Sequence, residues 1–162
     1  MGQKFTLHNK GVSKNGAFVV ADVEIIPSKL VALEDKIHAM PFPGINLDNL
    51  PFFIPICTSA KGRSLIHDWA FEHSPVYALE FNKMGAEIEV LDIHRIFVKG
   101  PTKLKAANIY GPDAIRPSMM VLIGLIAARG TSELHNIYQI ERGYENLPER
   151  LRAIGAQVKH IQ

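Results

Sequence analysis

Residues 60–64 read Ala-Lys-Gly-Arg-Ser, and residues 128–132 read Ala-Arg-Gly-Thr-Ser. A second match follows each copy, because Met84-Gly85-Ala86 corresponds to Ile154-Gly155-Ala156. A match that recurs at a nearly constant spacing, here about 70 residues, indicates a chain built from repeated structural units. The sequence therefore predicts two units of the same construction, preceded by a shorter N-terminal segment.

Each unit is predicted to contain two helices, because apolar residues recur at helical spacing and a glycine ends each run. The four helices are expected to begin near Asp48, Pro75, Pro117 and Glu145. In the first helix Asp48 is a suitable N-cap. Pro55 should kink that helix, because proline removes one backbone hydrogen bond.

Strands are predicted where apolar and polar residues alternate. In the first unit these are residues 86–91 and 95–100, and in the second unit a single closing strand is expected at 156–161. Residues 1–40 read as strands, with Asn15-Gly16 at a hairpin turn. Together the helices and strands indicate an α/β (α+β) fold.

The composition restricts the function class. Hydrophobic residues make up 47% of the chain and charged residues 21%, which is enough to build a packed core. The formal net charge of +2 is too small for a nucleic-acid-binding surface. The longest apolar run, residues 119–128, is too short to cross a bilayer, and the first residues lack a signal-peptide pattern. We therefore expect no nucleic-acid partner, no membrane partner and a cytoplasmic location.

The chain has one cysteine, Cys57, which excludes an internal disulfide and a cysteine-based metal cluster. Cys57 lies in an apolar predicted helix without a basic neighbour, so we interpret it as a core residue and not as a nucleophile. The seven histidines show no metal-ligand spacing. Accordingly, we expect neither a metal nor a cofactor.

Five stretches carry a resemblance to a known family: PFPGINLD (41–48), AKGRSLIHDWAFEH (60–73), NKMGAEIEV (82–90), GPTKLKA (100–106) and IYQIERGYENLPERLRAIGA (137–156). In these stretches the sequence resembles the C-terminal part of UDP-N-acetylglucosamine 1-carboxyvinyltransferase. The resemblance extends from residue 37 to residue 161. The sister enzyme, 5-enolpyruvylshikimate-3-phosphate synthase, shares the fold but fits these motifs less well.

The resemblance implies a single inside-out α/β barrel-like domain of βαβαββ repeats, with helices inside and sheets outside. Residues 1–40 would be N-terminal strands, 41–100 the first unit and 101–162 the second. The family transfers the enolpyruvyl group of phosphoenolpyruvate to the 3-hydroxyl of UDP-N-acetylglucosamine in peptidoglycan synthesis. Besides these two substrates, the implied partner is the N-terminal half of the enzyme or a second copy, because a threefold barrel needs more units than two.

By resemblance, Asp48 is the catalytic candidate, since it aligns with the aspartate that takes the proton from the sugar hydroxyl. Attack by an alcohol needs such a base within hydrogen-bond reach. The alternative is a helix N-cap, which aspartate fills routinely, and the two roles are compatible. Asp113 aligns with the first residue of the family's D-L-R-A motif and is a substrate-binding candidate, although we favour a capping role for it.

Arg116 and Arg142 are the other two substrate-binding candidates. In D-A-I-R-P-S, residues 113–118, the family arginine falls on Ile115 without a gap and on Arg116 with a shift of one residue. Arg142 matches the family arginine that contacts phosphoenolpyruvate, and a guanidinium suits carboxylate and phosphate bidentately. A helix beginning just after Arg142 would add partial positive charge. The alternative is a surface arginine paired with Glu141 or Glu145.

Two departures from the family bear on function. Phe71-Glu72-His73-Ser74 stands where the family has F-E-N-R, so Ser74 replaces an anion-binding arginine. A hydroxyl cannot replace a guanidinium charge, and His73 compensates only when it is protonated. The second departure is that the family's loop cysteine and early lysine have no counterpart within residues 1–162.

Two functional hypotheses follow. In the first, the chain is the C-terminal domain of an enolpyruvyl transferase and is active only with the rest of that enzyme. In the second, it is a non-catalytic domain of the same fold that binds a nucleotide-sugar or a protein partner. The PFPG motif with Asp48 and the IERGYE motif with Arg142 favour the first hypothesis, whereas Ser74 and the uncertain register at Arg116 favour the second.

Overall fold

The structure is a computed structural model that describes residues 1–72 and 74–161, with only the backbone described at Ser74. Its elements, in chain order, are β1 (Lys4–Val12), β2 (Val19–Ile26), β3 (Ile37–His38), α1 (Phe53–Ser59), β4 (Gly62–His67), α2 (Glu80–Lys83), β5 (Glu87–Val90), β6 (Arg95–Gly100), β7 (Asn108–Tyr110), α3 (Ile115–Ala127), β8 (Glu133–His135), α4 (Tyr138–Gly143) and α5 (Leu147–Ala153). Short 3-10 helices, Leu47–Phe52 and Ser74–Leu79, precede α1 and α2.

The first repeat is a complete βαβαββ unit that runs from β3 to β6. Its strands form one sheet in the order β3-β4-β6-β5, with β3 and β4 parallel and the other neighbours antiparallel. The inner side chains Ile66, Ile96 and Val98 are buried, whereas Arg63 and Lys99 on the other face are exposed. Since the buried residues of α1, α2 and α3 join these inner side chains in one core, the predicted arrangement of helices inside and sheet outside is confirmed.

The second repeat contains the first four parts of the same unit. β7 pairs with β8 in parallel, and α3, α4 and α5 follow the order of the first repeat. The predicted closing strand at 156–161 is wrong, because the structure has no strand there. In the first unit β5 pairs only with β6, and among the described residues nothing in the second unit takes the place of β6.

The N-terminal strands form a separate antiparallel hairpin, β1–β2. The predicted turn at Asn15-Gly16 is confirmed, since the Asn15 side chain accepts the N–H of Ala17 and Gly16 has φ +73°. The strand β3 lies in the sheet of the first unit, although it comes before residue 41.

One detail of the predicted helices is wrong. Asp48 is not the cap of its helix: Asn46 is, with its side chain accepting the N–H of Asp48 at 2.8 Å. Residues 47–59 change from 3-10 to α at Phe53, and Pro55 is the third residue of α1. The kink expected at Pro55 stays a prediction.

The helix expected from Glu145 begins at Leu147, and the structure adds α4, a short helix that the sequence reading did not predict. None of the helices in the described part of the chain has the length and apolar character that a bilayer crossing requires.

Candidate functional site

An ion pair joins the two repeats at the candidate site. Nη2 of Arg116 lies 3.2 Å from Oδ1 of Asp48, with 38% of the arginine side chain and 60% of the aspartate side chain exposed. Asp48 lies in the first turn of the 3-10 helix before α1, and Arg116 is the second residue of α3. The starts of corresponding helices in the two repeats therefore present a carboxylate and a guanidinium to each other.

Arg116 also lies over an aromatic ring that the sequence reading overlooked. Its guanidinium carbon is 5.1 Å from the centre of the Phe71 ring. The buried carboxylate of Asp68 holds the loop that carries this ring, since it accepts the N–H groups of Ala70 and Phe71 at 3.2 and 3.1 Å. One feature of the sequence could have indicated this loop: Asp68 comes directly after a strand, and an aspartate there often folds the following residues into an Asx turn.

The surroundings of Ile115 bear on the ambiguous register of the D-A-I-R-P-S motif. A Cβ added at Gly143 would lie 2.6 Å from Cγ2 of Ile115, so Ile115 packs against the end of α4. Arg116, one residue later, is the side chain that reaches Asp48. Which of the two corresponds to the family arginine stays a prediction.

Asp113 does not cap α3, contrary to our expectation. The N-cap residue is Ala114, without a side-chain hydrogen bond, and the carboxylate of Asp113 accepts Nδ2 of Asn136 at 2.8 Å. Asn136 also donates to the carbonyl of Gly111 at 3.0 Å, and it adopts a left-handed backbone with φ 54°. Asp113 therefore connects the loop after β8 to the start of α3, and its role in binding substrate stays a prediction.

Arg142 lies in the last turn of α4 and is exposed. The expected helix just after it is displaced, since α5 begins at Leu147, after Asn146 in the left-handed conformation. Within the described residues Arg142 forms no ion pair, and its guanidinium carbon is 6.0 Å from the centre of the Tyr138 ring. The contact between Gly143 and Ile115 brings this end of α4 to the first turn of α3.

At the first turn of α3 the structure brings together one carboxylate, Asp48, and one guanidinium, Arg116, while Arg142 lies on the last turn of α4, whose Gly143 is next to Ile115. A carboxylate accepts a proton from a hydroxyl, and guanidinium groups bind phosphate or carboxylate oxygens. No group of three or more metal-ligating side chains occurs among residues 1–72 and 74–161. His73 and the side chain of Ser74 lie outside the described residues, so the effect of that departure from the family stays a prediction.

Cys57 is fully buried, as the sequence indicated. Burial raises the pKa of its thiol. A protonated, inaccessible thiol is a poor nucleophile, which agrees with the interpretation of Cys57 as a core residue.

His67, at the end of β4, lies among positively charged and titratable groups. The pKa of His67 is lowered, first by burial and then by repulsion from Lys36, Arg95, His38 and His94. His38 and Arg95 are its register partners on the two neighbouring strands. Protonation of His67 is therefore less favourable in the folded protein than in the unfolded chain.

This cluster leads to a pH prediction. Because the unfolded chain binds the proton of His67 more readily, stability should fall as the pH drops through the ordinary histidine pKa of about 6.5. His67→Gln should reduce the difference between the urea midpoints at mildly acidic and at neutral pH. His8→Gln, on the β1–β2 hairpin, is the matched control. An unchanged pH dependence in His67→Gln would contradict the assignment.

Comparisons with known proteins give a consistent family. The family model for EPSP synthase (3-phosphoshikimate 1-carboxyvinyltransferase) matches residues 10–151. UDP-N-acetylglucosamine 1-carboxyvinyltransferase of Treponema denticola is 39% identical over 124 residues, or 76% of this chain and 29% of that protein. The protein of the same name from Corynebacterium jeikeium is 32% identical over 148 residues, or 88% of this chain and 35% of that protein.

Solved structures agree with the fold. The enolpyruvyl transferase NikO from Streptomyces tendae aligns with a TM-score of 0.74 and 24% identity, covering 98% of this chain and 34% of NikO. EPSP synthase from Acinetobacter baumannii aligns with a TM-score of 0.74 and 17% identity, covering 100% of this chain and 38% of the synthase. The chain thus spans between 29% and 38% of the lengths of these relatives.

Proposed function

Because the chain belongs to the EPSP synthase family of enolpyruvyl transferases, we propose that it forms one wall of the active site of a UDP-N-acetylglucosamine 1-carboxyvinyltransferase. The reaction would transfer the enolpyruvyl group of phosphoenolpyruvate to the 3-hydroxyl of UDP-N-acetylglucosamine, with release of phosphate, in peptidoglycan synthesis. The observation that carries the proposal is the 3.2 Å pair between Asp48 and Arg116. It joins two family motifs from different repeats at one place.

In this proposal Asp48 accepts the proton of the sugar hydroxyl while the hydroxyl oxygen attacks the central carbon of phosphoenolpyruvate, and the opened double bond takes up a proton at the terminal carbon. Loss of a proton from the resulting methyl group, with departure of phosphate from the central carbon, then restores the double bond of the enolpyruvyl ether. More than half of the Asp48 side chain is exposed, so it is accessible to an incoming hydroxyl. Arg116 orients the carboxylate, since it lies between Asp48 and the ring of Phe71. No metal and no cofactor takes part in these steps.

The anionic substrate falls to the remaining candidates. Arg142 is exposed and lies near the first turn of α3, so its planar guanidinium is available for phosphate or carboxylate oxygens. Asp113 would contact the substrate, while its hydrogen bond with Asn136 holds the loop after β8. The opposite wall of the cleft would come from other units of the enzyme, and the assembled enzyme would work in the cytoplasm without nucleic-acid or membrane partners.

A second candidate function rests on Ser74. A hydroxyl stands where the family has an anion-binding arginine, which weakens electrostatic binding of phosphate. The alternative is therefore a non-catalytic domain of the same fold that binds a nucleotide-sugar or a protein partner. A third reading, the synthase that uses shikimate 3-phosphate, differs in its acceptor.

Ligand protection separates the acceptors. A ligand that binds the folded protein alone raises its stability by about 1.4 kcal/mol at ten times its dissociation constant. With phosphoenolpyruvate present, we expect UDP-N-acetylglucosamine at millimolar concentration to raise the thermal midpoint, and Arg142→Ala to reduce the shift. Arg150→Ala, an exposed arginine of α5, is the control. Protection by shikimate 3-phosphate instead would replace the proposed acceptor.

A further inference from the structure

Two segments of the first repeat lead from neighbouring strands to Arg116. β3 and β4 pair in parallel, so the segments that follow them, residues 39–48 and 68–71, start at the same edge of the sheet. The first segment ends at Asp48, whose Oδ1 is 3.2 Å from Nη2 of Arg116. The second ends at Phe71, whose ring centre is 5.1 Å from the guanidinium carbon of Arg116. One arginine of the second repeat therefore contacts the ends of both segments.

The indole of Trp69 joins these two segments. Its Nε1–H donates to the carbonyl of Ala39 at 3.0 Å. Ala39 is buried and is the first residue after β3, so this hydrogen bond is anchored at the edge of the core. A carbonyl in such a place is costly to leave without its donor. Trp69 therefore fixes residues 68–71 relative to the segment that leads to Asp48.

Asp68 holds the same residues from their start. Its buried carboxylate accepts the N–H groups of Ala70 and Phe71. Its backbone N–H donates to the carbonyl of His94 at 2.8 Å, and its own carbonyl is 2.8 Å from Nδ1 of His94. Since 42% of Phe71 is exposed, packing covers only part of this residue. The hydrogen bonds of Asp68 and Trp69 thus have a large share in placing the Phe71 ring.

We propose that Trp69 and Phe71 are positioning residues for the pair of Asp48 and Arg116, an inference that rests on the proposed function. A guanidinium is attracted to the face of an aromatic ring within about 6 Å. An arginine side chain has many rotamers, and a fixed ring favours those that keep the guanidinium near it. Phe71 would hold Arg116 in reach of Asp48, and Trp69 would set the place of the Phe71 ring. Neither ring has to touch the reacting atoms.

Turnover of an enzyme that contains this segment tests the role of the two rings. In a chimera of this chain with the Treponema denticola relative, Phe71→Leu and Trp69→Phe should each lower kcat by about tenfold. The KM of either substrate should change by less than about twofold, because a displaced base slows the chemical step and not substrate binding. Phe71→Tyr retains an aromatic ring and should therefore retain kcat.

A matched control lies on the outer face of the first sheet. The guanidinium carbon of Arg63 is 3.7 Å from the centre of the Phe97 ring, and Arg63 also forms an ion pair with Glu89. It therefore has the same two kinds of contact as Arg116. Phe97→Leu should change kcat by less than about twofold, because Phe97 lies on the face of the sheet that points away from the helices.

A double-mutant cycle separates positioning from a general structural role. In a chimera that already contains Arg116→Ala, Phe71→Leu should change kcat by less than about twofold, because the group that the ring holds is gone. In the 162-residue chain, the same two substitutions should be coupled by about two- to fivefold in the equilibrium constant of unfolding, as expected for an exposed cation–π contact. This second readout needs no substrate.

The outcomes distinguish this role from the proposed function. Equal losses of kcat from Phe71→Leu with and without Arg116 would overturn the positioning role, and so would independent effects on unfolding. A loss from Phe97→Leu as large as that from Phe71→Leu would also overturn it. Full turnover of Asp48→Asn would instead overturn the proposed function and this role with it, even where the coupling in unfolding shows that the ring holds the arginine.

Discussion

Replacing Asp48 by asparagine should lower turnover by about 100- to 10,000-fold in an enzyme that contains this segment, which is the usual contribution of a general base. The enzyme to use is a chimera in which this chain replaces the matching part of the Treponema denticola relative, to which it is 39% identical. The measurement is phosphate release from phosphoenolpyruvate in the presence of UDP-N-acetylglucosamine. Asparagine has nearly the same shape as aspartate, but its amide does not accept the proton.

The structure supplies a matched control for Asp48→Asn. Glu149 on α5 is 63% exposed and pairs with Arg152 at 2.8 Å, which resembles the exposed pair of Asp48 and Arg116. Each exposed ion pair contributes at most about 1 kcal/mol to folding, so both variants should stay folded. Glu149→Gln should retain full turnover. Equal turnover of Asp48→Asn and the parent chimera would exclude the role of Asp48 as a base.

The 162-residue chain by itself should release no phosphate. Catalysis of this kind requires about 8 kcal/mol or more of barrier reduction from proximity and preorganised charge. Here Asp48 and Arg116 are both partly exposed to solvent, and charges in water are weakly coupled. Robust release by the chain alone would contradict this expectation. A chimera that is inactive but becomes active with Ser74→Arg would favour the non-catalytic reading of the native chain.

The repeat and its strands were predictable because they depend on local patterns. The alternation in 86–91 and 95–100 and the glycine stops at Gly62, Gly85 and Gly130 place β5, β6 and the ends of the helices close to where the structure has them. Each of these three glycines has a positive φ, which favours glycine over residues with a side chain. Such features depend on only a few neighbouring residues, so they can be predicted from the sequence.

The strand at 156–161 shows where local reading fails. Its alternation resembles that of β5, but a strand requires hydrogen-bonding partners from elsewhere in the chain. The same limit applies to the site. Both Asp48 and Arg116 were candidates, yet their pairing, the ring of Phe71 over Arg116, and the bond between Asp113 and Asn136 depend on tertiary packing. Capping preferences predicted that Asp48 and Asp113 cap their helices. In the structure Asn46 caps the first helix, and Asp113 instead accepts a hydrogen bond from Asn136.

Gly124→Val, in α3, should strongly lower the free energy of unfolding. A Cβ added at Gly124 would lie 2.5 Å from Cε1 and 2.6 Å from Cζ of Phe81, and 3.0 Å from Cε of Met84. Phe81 and Met84 belong to the first repeat and are fully buried, so neither side chain can move aside without displacing the sheet behind it. Gly124 is thus the point at which the helix of one repeat approaches the core of the other.

Overpacking of this kind costs about 3 kcal/mol, a large part of the 5–15 kcal/mol that typically stabilises a domain. The measurement is the free energy of unfolding from urea titration. Ala127→Val is the control, because Ala127 is exposed at the end of the same helix and acquires the same side chain, with an expected effect below about 0.5 kcal/mol. Equal stability of the two variants would mean that α3 does not pack on Phe81. Because α3 also carries Arg116, a helix shifted by Gly124→Val should weaken ligand protection, whereas Ala127→Val should leave it unchanged.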